Sequence, residues 1–127
     1  EAFRLTHQVH VYDLAGNEIG LVSQRLFTFL PTFDISVGGR PCGSIKKEFT
    51  FFKPSYSIEY GGWQCDGDFL SWNYNVTAGS RLVANIAKQL LSWGDTYTLD
   101  IIDPGDEIMA LMLVIAIDAA NCSQNNN

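Results

Sequence analysis

The stretch Ile108-Met109-Ala110-Leu111-Met112-Leu113-Val114-Ile115-Ala116-Ile117 is ten apolar residues without interruption. Directly before it stands Asp103-Pro104-Gly105-Asp106-Glu107. Asp103 suits a helix N-cap and Pro104 the first helical position. Asp106 and Glu107 then fall in the first turn, where the helix dipole favours anions. Alanine, leucine and methionine favour continuation, so the run is expected to be helical. At 1.5 Å per residue it spans about 15 Å, roughly half a bilayer's hydrocarbon thickness, so no transmembrane segment is expected. A helix apolar on every side must be surrounded by protein. Asp118 is expected to mark its exit from that surrounding.

What precedes the helix reads as strand. Val9 and Val11 alternate with His10 and Tyr12, and Asp13-Leu14-Ala15-Gly16-Asn17 turns the chain into residues 18–24. Phe33, Ile35 and Val37 alternate before Gly38-Gly39; Tyr56, Ile58 and Tyr60 before Gly61-Gly62; Trp72, Tyr74 and Val76 before Ala78-Gly79-Ser80. Tyr97, Leu99 and Ile101 alternate last. Period-two runs separated by glycine-bearing turns predict a meander of antiparallel strands.

These strands repeat. A slide of about 23 residues lays Phe33 on Tyr56, Ile35 on Ile58 and one double glycine on the other. A slide of about 41 lays Ile45 on Ile86, Lys47 on Lys88, Tyr56 on Tyr97 and Ile58 on Leu99. Between strands lie aromatic corners, Phe27-Thr28-Phe29-Leu30-Pro31, Thr50-Phe51-Phe52-Lys53-Pro54 and Leu91-Ser92-Trp93-Gly94-Asp95. Proline or glycine at a corner breaks the ladder and lets the sheet change direction. Recurring corners are one way in which a long sheet curls and closes. Curling strands and one apolar helix predict a mainly β fold, an antiparallel β-barrel enclosing a C-terminal hydrophobic helix. Phe51, Phe52 and Trp93 are expected to plug the barrel ends, or to form a contact surface.

Across 127 residues, 46% apolar and 17% charged composition is that of a globular chain. One domain over residues 1–120 is expected, with 121–127 a disordered polar tail. The formal charge is −6, which argues against a nucleic-acid partner. All of that excess lies in the second half of the chain. In contrast, residues 25–53 carry Arg25, Arg40, Lys46, Lys47 and Lys53 against only Asp34 and Glu48. If the fold clusters them, an acidic protein gains one basic face. Lys46 and Lys47, neighbours on one strand, should point to opposite faces.

Material for catalysis is scarce. His7 and His10, three apart on a strand, face opposite ways and cannot share a metal. No GxSxG, HExxH, P-loop or dinucleotide fingerprint occurs. Asp66-Gly67-Asp68 reads as a hairpin turn rather than a calcium loop, which needs more spaced oxygen ligands. Cys42, Cys65 and Cys122 are odd in number and widely spaced, which suggests free thiols in a reducing compartment. No enzyme activity, cofactor or metal is expected.

Together, Tyr12-Asp13-Leu14-Ala15-Gly16-Asn17-Glu18, Lys46-Lys47-Glu48-Phe49-Thr50-Phe51-Phe52-Lys53-Pro54, Ser92-Trp93-Gly94-Asp95-Thr96-Tyr97 and the Asp103-Pro104 lead resemble the LURP-one-related family. That family belongs to the tubby C-terminal-like superfamily, and the likeness covers about residues 8–120. It implies a twelve-stranded barrel around a central hydrophobic helix, here lacking some N-terminal strands of the family. Distant relatives include the tubby domain, similar to a phosphoinositide-binding module, and the phospholipid scramblases. None of their ligand motifs matches this chain residue by residue.

The expected function is a non-enzymatic, tubby-like interaction or regulatory scaffold for a protein partner. The alternative is a module that binds a phospholipid or phosphoinositide headgroup at a membrane surface. Arg25, Arg40, Lys46, Lys47 and Lys53 are the candidate anionic-lipid contacts, each contributing about 1 kcal/mol near an anionic surface. A cytoplasmic location is expected, peripheral to the membrane in the second case.

Overall fold

The alternating runs become strands, and the strands divide into two sheets. A computed structural model describes residues 8–48, 55–68, 73–91 and 94–125. One antiparallel sheet pairs β1 (Gln8–Tyr12), β2 (Glu18–Gln24), β3 (Thr32–Val37), β4 (Arg40–Glu48) and β5 (Ser55–Glu59), in that order. The other pairs β6 (Trp63–Asp68), β7 (Asn73–Ala78), β8 (Arg81–Leu91) and β9 (Gly94–Ile101). Asp66-Gly67-Asp68, expected as a turn, is the end of strand β6. Gly67 there abuts the Tyr74 backbone so closely that a β-carbon would lie 2.6 Å from its Cα. His7, Phe51, Phe52, Lys53, Trp72 and Trp93 lie outside the described residues.

The helix starts as its sequence indicates. Asp103 accepts a hydrogen bond from the Gly105 amide, and Pro104–Asp106 form a short 3-10 turn leading into α1 (Glu107–Asn125). The helix continues through residues 121–125, where the sequence reading expects a tail.

The expected barrel is not formed: no sheet closes among the described residues. Left-handed Gly61 and Gly62 turn the chain between β5 and β6, and the ladder stops there, so β6 opens a new sheet. What encloses the helix is a pair of sheets. Buried Val22, Phe33, Ile35 and Ile45 project from the first sheet, and Tyr74, Val76, Ala84 and Ile86 from the second. Buried Met109, Met112, Leu113, Val114, Ala116 and Ile117 of α1 join the same core. The helix packs on β2, β3 and β4 and also on β8 and β9. Two facing layers need not cover a helix all round, and one stripe stays partly open. Ile108 is exposed, and Leu111, Ile115 and Asp118 are half-buried. Their spacing of three and four residues puts all four on one helix face.

The repeat of 41 residues has a structural counterpart. In β4–β5, Ile45 pairs with Ile58 and Lys47 with Tyr56. In β8–β9, Ile86 pairs with Leu99 and Lys88 with Tyr97. All eight belong to the faces turned toward α1.

Candidate functional site

Alternation on the first sheet sends Ile45 and Lys47 toward the helix, and Ser44 and Lys46 to the outer face. Cross-strand register then decides the neighbours of Lys46. It pairs with Thr32 on one side and Ser57 on the other, while Ser44 pairs with Asp34 and Glu59. These positions build a small outer-face basin of about 110 Å³ lined by Arg25, Thr32, Ser44, Lys46, Ser57 and Glu59. Two cations, three hydroxyls and one carboxylate meet there. Thr32 and Ser44 are buried although they face outward.

Hydrogen bonds set much of the basin. Arg25, directly after β2, forms a two-point pair with Asp34, Nη2 to Oδ1 at 2.6 Å and Nε to Oδ2 at 3.2 Å. Both side chains are about half exposed, so the pair fixes the guanidinium more than it stabilises the fold. Its hydrogen bond and charge raise the Arg25 pKa further. The Thr32 hydroxyl donates to the Leu30 carbonyl at 3.0 Å, and Ser44 Oγ donates to Glu59 Oε1 at 3.4 Å.

Beside the basin the β2–β3 connection carries an apolar protrusion. Phe27 and Phe29 are 93% and 98% exposed, and Leu26 is 44% exposed. Phe27 holds the left-handed backbone, φ 58°, among the described residues the one non-glycine to do so. For an aromatic side chain that conformation costs on the order of 1–2 kcal/mol. A cleft of about 240 Å³ runs along residues 24–29 and Pro31.

Of the five candidate cations, two come together. Arg25 and Lys46 share the basin. Arg40 is exposed at the far end of β4, next to the Gly38-Gly39 turn and about 20 Å from Lys46 at 3.3 Å per residue. Lys47 points inward, as its alternation with Lys46 requires, and burial lowers its pKa. Lys53 falls outside the described residues. The exposed Phe27 and Phe29 escaped the sequence reading, which took aromatic corners mainly as plugs. Four apolar residues, Leu26, Phe27, Phe29 and Leu30, crowded around Thr28 in a connection between strands, were the available signal.

Elsewhere, His10 is exposed and meets Glu18, Nδ1 to Oε1 at 3.0 Å. Burial pushes the Cys65 thiol up to about 12, whereas Cys42 is exposed. Among the described residues, no group of three or more His, Cys, Asp or Glu is placed to hold a metal ion. No described helix is long and apolar enough to cross a membrane.

The model of the family described as LURP-one-related matches residues 1–118. The chain is also 31% identical over 116 residues to the uncharacterized protein YxjI of Bacillus subtilis (strain 168). That match covers 91% of this chain and 72% of the relative. No solved structure matches. The chain therefore belongs to the LURP-one-related family.

Proposed function

We propose that the domain acts by binding rather than by catalysis, and that it docks on anionic phospholipid surfaces through the end of its first sheet. The carrying observation is that Phe27 and Phe29 stand almost fully exposed beside a basin holding Arg25 and Lys46. Such a pairing suits a bilayer interface: rings enter the acyl boundary while cations meet headgroup phosphates. Each ring removed from water contributes about 1.5–3 kcal/mol, and each cation near an anionic surface about 1 kcal/mol. The net charge of −6 opposes approach, but beyond about 8 Å physiological salt screens it. Left-handed Phe27 supports the same reading, since strain kept at an exposed loop tip points to a role for that tip.

Sedimentation with vesicles of graded phosphatidylserine content tests this. Binding should rise with anionic content, fall with added salt, and vanish in the Phe27→Ser/Phe29→Ser double variant. Lys46→Ala should weaken it about fivefold. Salt-insensitive binding, or none, would remove the lipid reading and leave the protrusion to a protein partner.

A further inference from the structure

The two Lys–Tyr pairs that face α1 differ in one respect. Tyr97 OH donates to Asp118 Oδ1 at 3.0 Å, and Lys88 Nζ lies 3.4 Å from the same oxygen. Lys88 also sits 5.2 Å from the centre of the Tyr97 ring. In the other copy, Lys47 Nζ donates to Asn121 Oδ1 at 3.4 Å, and Tyr56 OH donates to that oxygen too. Asp118 and Asn121 are three residues apart on the helix, so each repeat grips one polar residue of adjoining turns. One repeat therefore closes on a carboxylate and its twin on a neutral amide. Among the described residues no carboxylate lies in ion-pair range of Lys47.

Among the described residues the hydrogen-bond acceptor of Lys47 is an amide oxygen, which compensates a half-buried ammonium poorly. Burial accordingly holds Lys47 below the ordinary lysine range. Next to its partner Tyr56, a cleft of about 390 Å³ opens between β5 and β6, with Tyr56, Ile58, Trp63 and Cys65 among its walls. That volume is within the range of small-molecule sites.

We infer that Lys47 and Tyr56 anchor a site for a small organic monocarboxylate, whose hydrocarbon part lies in the cleft beside Ile58 and Trp63. The ligand carboxylate takes the position that Asp118 holds in the other repeat, and the Asn121 amide turns aside. Its anchors, Lys47 and Tyr56, lie on the inner face of the first sheet, opposite Lys46, while Ser57 borders both the cleft and the basin of Arg25 and Lys46.

Phenylacetate, with phenylacetamide as its neutral counterpart and inorganic phosphate as a plain anion, tests the inference by amide NMR titration of the full chain. Phenylacetate should give saturable shifts around Lys47, Tyr56 and Trp63, and phenylacetamide and phosphate should not. Lys47→Met should weaken binding at least tenfold, and Lys46→Met should leave it unchanged. Asn121→Asp places the carboxylate internally, so it should abolish binding while keeping a folded spectrum. This variant keeps the test decisive if Lys47→Met fails to fold. Equal binding of phenylacetamide or phosphate, no binding of phenylacetate at 20 mM (roughly −2.3 kcal/mol), or full binding by Asn121→Asp would overturn the inference.

Discussion

Gly43 of β4 runs so close to Glu59 of β5 that a β-carbon at residue 43 would lie 2.3 Å from the Glu59 carbonyl oxygen. The obstacle is backbone held in the β4–β5 ladder, so it cannot step aside. Gly43→Ala should destabilise the fold by about 1–3 kcal/mol, seen as a lower Tm in thermal unfolding. Gly20→Ala offers the contrast: its β-carbon would meet chiefly the far end of the flexible Met112 side chain, with the Ser36 carbonyl oxygen at 3.3 Å. It should cost clearly less, and an equal loss would show that Met112 is pinned.

Asp118 is the acceptor shared by Lys88 and Tyr97, and the Lys88 side chain is only 9% exposed. Asp118→Asn removes the charge while keeping an acceptor. Since Asp118 is itself 39% exposed, the loss should be moderate, about 1–2 kcal/mol in urea unfolding. Asn121→Asp should shift stability upward by supplying Lys47 with a counter-charge.

Alkaline pH should weaken the protein from about pH 9 upward. The Cys65 thiol is raised by burial to about 12 from a reference of 9.0, and the Tyr56 and Tyr74 phenols are raised chiefly by burial. Between the unfolded and folded values the unfolded chain loses protons that the folded one retains, so stability is full below the window and falls through it. Lys47, lowered by burial, acts in the opposite sense, as one group against three. Iodoacetamide at pH 8 should label exposed Cys42 readily and half-buried Cys65 much more slowly until the protein unfolds, which peptide mass mapping would report. Equal labelling of the two would contradict the burial of Cys65.

Phe27 is held at φ 58° with its ring in solvent. Phe27→Gly should raise stability by about 0.5–1 kcal/mol, because it relieves the backbone and gives up little packing. The same change should reduce vesicle binding, so stability and binding should move in opposite directions.

Strand positions were legible because they rest on local alternation: residues 18–24 form β2 as read, and Lys46 and Lys47 part to opposite faces. The helix start was legible because Asp103 and Pro104 act within one turn. Closure was not. It depends on which strand edges meet after the Gly61-Gly62 turn, and alternation is silent about that. An apolar run also looks alike between two layers and inside a tube, and only the half-open stripe of Ile108, Leu111 and Ile115 separates them. For the site, the meeting of Arg25 with Lys46 follows from cross-strand register. The sequence lists both residues but not their adjacency.

Lying between two layers, α1 has one more consequence. During synthesis all nine described strands leave the ribosome before the element that fills the space between them. Both inner faces, with Phe33, Ile35, Tyr74 and Ile86, stay bare until then. The nascent chain must therefore pass through a sticky interval that ends only when its last described segment arrives, which makes timely delivery of that segment a condition of soluble yield.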